Sequence, residues 1–185
     1  EVYEQDRTLY ALCRPERLLR LVYQSILFDN GTKKIARYQQ FFTVEDILKR
    51  IRKGDPGKPR AGGVVWHTQG SGKSLTMVML AKALVLAPGV QTPKVILVTD
   101  RIDLDDQICG TFRACALEPE QASTGQDLVK LLRDDKSHVV TTLIHKFEAA
   151  TKARNLKEAT RDTFVLVDEG HRSNYSEHHA RMRLA

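Results

Sequence analysis

Four short apolar segments rich in β-branched residues constrain the fold of this 185-residue chain more than any other feature. They are GVVWH (63–67), KVILVT (94–99), HVVTTL (138–143) and TFVLVD (163–168). None alternates clearly between apolar and polar residues, which is typical of strands buried on both faces of a sheet. Helix-length segments separate them, with helices predicted over 73–86, 103–115 and 126–134. The pattern therefore predicts a parallel sheet in an α/β fold.

The N-terminal part has helical rather than strand-like periodicity. Residues 15–28 place apolar side chains at helical spacing after Pro15, which suits the start of a helix. A second helix is predicted over 43–53, with Thr43 as its N-terminal cap. Four glycines and two prolines within residues 54–63 then predict a loop.

Charge and cysteine content narrow the class of protein only slightly. The 29 Lys and Arg residues exceed the 23 acidic residues, and the net charge of +6 suits a nucleic-acid partner but also simple solubility. The three cysteines form no CxxC pair, so we expect free thiols in a reducing, cytoplasmic compartment. No apolar run is long enough to span a bilayer, and no membrane partner is expected. The chain begins without Met and ends in RMRLA, which we interpret as a fragment of a larger protein.

The segment HTQGSGKS (67–74) lies directly between the first predicted strand and an apolar helical run, as a phosphate-binding loop requires. Gly70 and Gly72 allow a tight turn that directs backbone N–H groups at phosphate oxygens. Lys73 supplies a positive charge to the same oxygens, and Ser74 offers a hydroxyl to Mg²⁺. These residues predict ATP and Mg²⁺ as the bound cofactors.

One position departs from the strict pattern GxxxxGK[ST], which has glycine where this chain has His67. The sequence GSGKS alone could arise by chance in a turn. The strand before it and the helix after it favour a phosphate-binding loop.

The second half of such a site is a strand that ends in an acidic residue, and TFVLVDEGH supplies it. Asp168 is predicted to hold Mg²⁺ through its water shell, and Glu169 to orient and deprotonate the attacking water. Each acid taken singly could be a solvated residue at a strand end. Together with the upstream loop, they predict that Lys73, Asp168 and Glu169 carry catalysis.

The two motifs resemble those of superfamily 2 helicases and translocases, and longer segments are similar to the motor subunit of type I restriction enzymes. These segments are RYQQFF (37–42), VVWHTQGSGKSLTM (64–77), VTDRIDLDDQ (98–107), TTLIHKF (141–147) and DEGHRSNY (168–175). The similarity runs from about residue 15 to the end of the chain. It implies a RecA-like parallel sheet flanked by helices. It also implies a helical linker from an upstream nuclease domain (1–35) and a first RecA-like motor domain, truncated at its C-terminal end (36–185).

The resemblance implies further nucleotide contacts at the start of the RYQQFF segment. Gln40 matches the glutamine that recognises the adenine edge, with Arg37 nearby; Gln39 is the alternative if the register differs by one. A glutamine exposed to solvent at a helix start is the other interpretation. The implied cofactor-binding set is Arg37, Gln40, Gly70, Ser71, Gly72, Lys73 and Ser74.

The same resemblance implies contacts with DNA and with a second motor domain. Arg101 matches a segment that approaches the DNA backbone, although an internal ion pair with Asp103, Asp105 or Asp106 is an equal alternative. Thr141 and Thr142 match another DNA-side motif, in which His145 replaces the family's usual glutamine. His171 matches the histidine that couples nucleotide state to the second domain, or it is an ordinary histidine at a helix start.

As a whole, the resemblance implies an ATP-dependent translocase on double-stranded DNA that works with specificity and methyltransferase subunits. No Glu-x-Lys of a nuclease centre occurs, so no DNA cleavage is expected from this chain. ATP hydrolysis by the chain alone is expected to be slow without the second RecA-like domain and its arginine. The alternatives are another superfamily 2 DNA or RNA helicase, a small-molecule kinase or signalling NTPase, and a catalytically silent scaffold.

Overall fold

The computed structural model describes residues 3–53, 60, 62–134, 136–152 and 162–168. Within these residues the helices are α1 (Glu4–Cys13), α2 (Pro15–Gln24), α3 (Tyr38–Arg52), α4 (Lys73–Val85), α5 (Ile102–Ala114), α6 (Gly125–Arg133) and α7 (Ile144–Lys152). The strands are β1 (Ile26–Asp29), β2 (Thr32–Ile35), β3 (Lys94–Thr99), β4 (Glu120–Gln121), β5 (Val139–Leu143) and β6 (Thr163–Val167). None of these helices combines the length and the apolar character needed to cross a bilayer.

The central sheet is parallel, with the strand order β4-β5-β3-β6. In its register Val95 of β3 lies opposite Val139 of β5 on one side and Phe164 of β6 on the other. All residues of β3 and β5 are buried, as expected for strands covered on both faces. The predicted strands at 94–99, 138–143 and 163–168 are confirmed to within a residue at each end.

Helices cover both faces of this sheet. Successive side chains of a strand point to opposite faces, so neighbouring residues of β3 contact different helices. Val95 and Leu97 of β3 belong to a hydrophobic cluster with α3, α4 and α5. Ile96 and Val98 belong to a second cluster with α6 and α7. The resulting three-layer arrangement confirms the predicted RecA-like α/β fold.

The N-terminal segment differs from the predicted single helix over 15–28. Helix α2 ends at Gln24, and an antiparallel β1-β2 hairpin follows. Asn30 and Gly31 both have positive φ at its turn, the conformation that two-residue hairpins favour. Leu27 of the hairpin is fully buried in the same cluster as α4 and α5, so the hairpin packs on the RecA-like core.

Helix α3 begins at Tyr38, five positions before the predicted start at Thr43. The backbone N–H of Arg37 donates to Oε1 of Gln40, 2.9 Å away, which satisfies a donor that the helix itself leaves without a partner. Thr43 therefore lies inside the helix rather than at its cap. The signal for this start is Gln40 at the third helical position, where glutamine can accept from the N–H of the N-cap residue.

The predicted strand at 63–67 is also wrong. Residues 62–68 form no strand, and Val64 and Trp66 have exposed fractions of 86% and 88%. None of the described strands pairs with this segment. Strand β6 lies at the edge of the described sheet and pairs there with β3. The prediction relied on β-branched content, which indicates a preference for a sheet surface but does not supply a partner strand.

Hydrogen bonds of Asp162 connect the start of β6 with the segment before β3. Its carboxylate accepts hydrogen bonds from Arg60 and from the backbone N–H of Gln91, each at 2.9 Å, and its carbonyl accepts from the N–H of Lys94. Burial raises the pKa of Asp162, but these hydrogen bonds and the Arg60 charge lower it by more, so the net shift is downward.

A carboxylate with a lowered pKa stabilises the fold above its unfolded pKa of about 3.9, and this contribution is lost as pH falls through the lower folded value. We therefore expect Asp162→Ala to reduce the free energy of unfolding by about 1–3 kcal/mol at pH 7, with a smaller difference in acid. Urea unfolding across pH measures it. The control is Glu118→Ala, an exposed acid outside the helices and strands that is expected to change stability by less than about 0.5 kcal/mol. A pH-independent difference would contradict the assignment.

Candidate nucleotide-binding site

The loop before α4 has the backbone shape that its glycines predict. Gly70 and Gly72 adopt φ values of +74° and +83°, in the left-handed region that costs little only for glycine. The N–H of Ser71 donates to the carbonyl of Thr68 at 3.2 Å and closes the turn. A Cβ at Gly72 would also lie 2.7 Å from Nε2 of Gln40, so a larger residue there would be strained and would displace the Gln40 amide.

Helix α4 carries this loop and is held firmly in the core. Gly72 is its N-cap, and Lys73 and Ser74 form its first turn, followed by a run of buried residues that includes Val78 and Leu84. The first N–H groups of a helix lack partners within it, and the helix dipole favours an anion at this end. The loop and helix start therefore fit a phosphate group.

The acidic motif meets the lysine of this loop. Nζ of Lys73 lies 4.0 Å from Oδ1 of Asp168, and the side chains are 34% and 12% exposed. The N–H of Asp168 donates to the carbonyl of Val98 at 3.0 Å, which continues the β3-β6 pairing to the strand end. The structure thus brings together the two predicted halves of the site. Glu169 and His171 lie outside the described residues.

The groups gathered here suit a hydrated divalent cation and a phosphate chain. The Asp168 carboxylate and the Ser74 hydroxyl are oxygen donors of the kind that Mg²⁺ prefers, and Lys73 supplies a cation for phosphate oxygens. Mg²⁺ usually keeps several waters and binds through one or two protein oxygens plus those of the phosphates. The residues present therefore fit Mg²⁺ bound with a nucleotide.

Gln40 contacts the phosphate loop instead of pointing into solvent. Its Nε2 donates to the carbonyl of Gly72 at 3.1 Å and more weakly to that of Ser71 at 3.4 Å, while its Oε1 accepts from the N–H of Arg37. The side chain is only 4% exposed. Its amide is engaged with backbone at both ends, an arrangement that the adenine contact predicted for it does not explain. Arg37 and the alternative, Gln39, are exposed at the same helix start.

His67 also connects α3 with the loop. Its Nδ1 lies 3.2 Å from the hydroxyl of Ser71, and its Nε2 lies 3.5 Å from the hydroxyl of Thr43. Sequence analysis noted the histidine only as a departure from the pattern. Its replacement of glycine was the available signal, but the partner in α3 could not be inferred from the motif.

Arg101 is exposed at the N-terminus of α5, beyond the end of β3. In the described part of the chain no ion pair links it to the three neighbouring aspartates. Asp105 is buried and accepts hydrogen bonds from Thr99 and Gln121, and Gln121 also donates to Asp106. The internal ion pair considered for Arg101 is therefore not found, and its guanidinium faces solvent.

Thr141 and Thr142 occupy a different environment from the one their predicted DNA contact requires. Both are fully buried in β5, with the Thr141 hydroxyl 3.3 Å from Sγ of Cys109 and the Thr142 hydroxyl bonded to the carbonyl of Leu143. Strand β5 lies between β3 and β4 and is covered by helices on both faces. Neither hydroxyl can reach a nucleic acid in this arrangement, so their placement does not support the DNA contact expected of them.

The chain is similar in sequence to endonuclease subunits of type I restriction enzymes. The chain is 35% identical to the type I restriction enzyme HindI endonuclease subunit of Haemophilus influenzae over 93% of its length. It is 32% identical over 92% of its length to a protein named as the type I restriction enzyme MjaIXP endonuclease subunit in Methanocaldococcus jannaschii. A type I restriction enzyme endonuclease subunit of Staphylococcus saprophyticus is 30% identical over 82% of the chain. The chain spans only 17% of the M. jannaschii relative and 18% of the other two.

The family described as SWI2/SNF2 ATPase matches residues 39–185, most of the chain. This match includes the phosphate loop, the Lys73–Asp168 contact and the whole parallel sheet. The chain therefore belongs to the SWI2/SNF2 ATPase family, and its relatives include endonuclease subunits of type I restriction enzymes.

Proposed function

We propose that this chain binds and hydrolyses Mg-ATP as the first RecA-like motor domain of a DNA translocase subunit in a type I restriction system. The observation that carries the nucleotide part is the approach of Lys73 to Asp168 at 4.0 Å, next to a glycine loop at a helix N-terminus. The membership in an ATPase family supports it. The restriction system is proposed from the names of the relatives.

In this proposal the residues of the site divide the work between binding and proton transfer. N–H groups of the loop and helix start, those of Gly72 and Lys73 among them, together with the Lys73 ammonium, hold the phosphates and offset the negative charge that develops during hydrolysis. Mg²⁺, held by Ser74 and Asp168, would supply further neutralisation of that charge. Glu169, which follows Asp168 directly, would orient the attacking water and accept its proton.

For DNA binding and for coupling to a second domain, we propose residues that follow the ends of the sheet strands. Arg101 is proposed to contact a phosphate of double-stranded DNA, since its guanidinium is exposed and not paired with the neighbouring acids. His171 is proposed to couple nucleotide state to a second motor domain. The partners proposed for the whole protein are specificity and methyltransferase subunits, with cleavage assigned to a nuclease domain elsewhere in the same protein.

Lys73→Ala tests the nucleotide site. We expect the affinity for Mg-ATP to fall by roughly ten- to a hundredfold, because charge-assisted bonds to phosphate contribute about 1.5–3 kcal/mol. The melting temperature should change little, since the partly exposed Lys73–Asp168 pair contributes less than about 1 kcal/mol. Calorimetric titration and thermal unfolding measure the two effects. Lys82→Ala, in the last turn of the same helix, is the control that removes an equal charge. Unchanged affinity with a lowered melting temperature would refute the site.

Gln40→Ala tests whether this glutamine acts on the base or on the loop. Since its amide bonds to the loop carbonyls, we expect the variant to bind ATP and GTP more weakly by the same factor, about five- to tenfold. A residue that recognises adenine would lose affinity for ATP alone. Fluorescent nucleotide competition measures both values. Gln39→Ala, on the exposed neighbour, serves as the comparison, and a selective loss of ATP there would move the adenine contact to Gln39.

Arg101→Ala tests the DNA contact. We expect weaker binding of duplex DNA of any sequence, and a slope of log affinity against log salt reduced by about one. Fluorescence anisotropy with two unrelated duplexes over a range of salt concentrations measures this. Arg113→Ala, exposed at the other end of α5, is the matched control and should behave as the unaltered chain. An unchanged salt slope for Arg101→Ala would exclude the proposed contact.

A further inference from the structure

The loop that fits phosphate is tied to one neighbouring helix at two places. Gln40, in the first turn of α3, donates to the carbonyls of Ser71 and Gly72. Thr43, three residues further along α3, contacts His67, whose other ring nitrogen contacts the Ser71 hydroxyl. Residues three apart lie on the same face of a helix, so one face of α3 makes both ties.

The geometry of the peptide bond gives the first tie a consequence. In a planar trans peptide the carbonyl and the following N–H point in opposite directions. Gln40 holds the carbonyl of Ser71 weakly and shares the carbonyl of Gly72 with Thr76 of α4, so the N–H groups of Gly72 and Lys73 point away from α3. Those are the donors through which a glycine loop binds phosphate.

The second tie acts on the side chain of Ser71, whereas Gln40 contacts only the backbone of the loop. Hydroxyl groups both donate and accept, so Thr43 and Ser71 satisfy the ring of His67 in either tautomer. A glycine at position 67, as the strict pattern has it, would leave both hydroxyls without this partner. Where a glycine would leave the loop flexible, the imidazole of His67 connects the hydroxyls of Thr43 and Ser71 and restrains the loop.

We propose that His67 is a positioning residue that, with Thr43, braces the phosphate loop against α3 and so sets its anion-binding shape before nucleotide arrives. The inference rests on the proposed function, in which this loop binds the phosphates of ATP. The brace lowers the cost of ordering the loop on binding, which is how preorganisation increases affinity. It also links the loop mechanically to the helix start that carries Arg37 and Gln39.

The test compares His67→Ala, His67→Asn, Thr43→Val and the double variant His67→Ala with Thr43→Val in the 185-residue chain. Amide hydrogen exchange of Ser71, whose N–H donates to the carbonyl of Thr68, is measured without nucleotide, and Mg-ATP affinity by titration. Lys73→Ala is included as the variant that addresses the nucleotide site itself. His138→Ala, an exposed histidine before β5, is the matched control and should equal the unaltered chain in both measurements.

We expect His67→Ala to accelerate exchange at the Ser71 amide and to weaken Mg-ATP binding by about five- to thirtyfold, with partial recovery in His67→Asn. Thr43→Val should add little once His67 is gone, because the two residues act as one unit. Unchanged exchange in His67→Ala, or full additivity in the double variant, would overturn the brace.

The outcomes separate the brace from the function on which it rests. If Lys73→Ala weakens Mg-ATP binding as expected while His67→Ala changes neither exchange nor affinity, the nucleotide site stands and the brace is rejected. If the unaltered chain binds no Mg-ATP but His67→Ala still accelerates exchange at the Ser71 amide, the brace stands and the nucleotide function is rejected.

Discussion

The site depends on the parallel pairing of β3 with β6. This pairing places Val98 opposite Val167 and continues with the hydrogen bond from the Asp168 N–H to the Val98 carbonyl, which fixes the carboxylate at the strand end. Helix α4 packs in the same core through residues buried on nearly every side, so Lys73 at its start has little freedom to move away. The 4.0 Å separation of the two charges is therefore a consequence of sheet register and helix packing. Without either, the loop and the acid would be two unrelated surface features.

Helix α3 adds a second layer of support that the motif pattern does not require. Its apolar face, with Val44 and Leu48, packs against the cluster that contains α4, while its first turns contact the phosphate loop through polar side chains. A glycine loop alone is flexible, and its flexibility must be lost when it binds a phosphate chain. In this chain, contacts that form together with the hydrophobic core already restrict the loop. Part of its flexibility is therefore lost during folding, before a phosphate chain binds.

How much of this follows from the sequence depends on whether a feature is local. Strand β3 and helix α4 were predicted closely, because a run of apolar β-branched residues and a glycine loop followed by helix formers each specify their own structure. The lack of a strand at 63–67 and the burial of Thr141 were not predicted. Strand pairing and burial depend on residues distant in the sequence, which a local motif does not identify. The contact between Thr43 and His67 spans 24 positions and joins a helix to a loop, so only the fold reveals it.

The strand order also bears on how nucleotide and DNA contacts could communicate. Arg101 follows β3 and Asp168 follows β6, and these strands are direct neighbours in the sheet. Asp105 and Gln121 anchor the first turn of α5, so the backbone around Arg101 is connected to the β3 end through Thr99. A displacement of Asp168 would thus reach Arg101 through one backbone hydrogen bond and a few residues of chain. Because the two elements touch, coupling between the proposed sites needs no extended network across the domain.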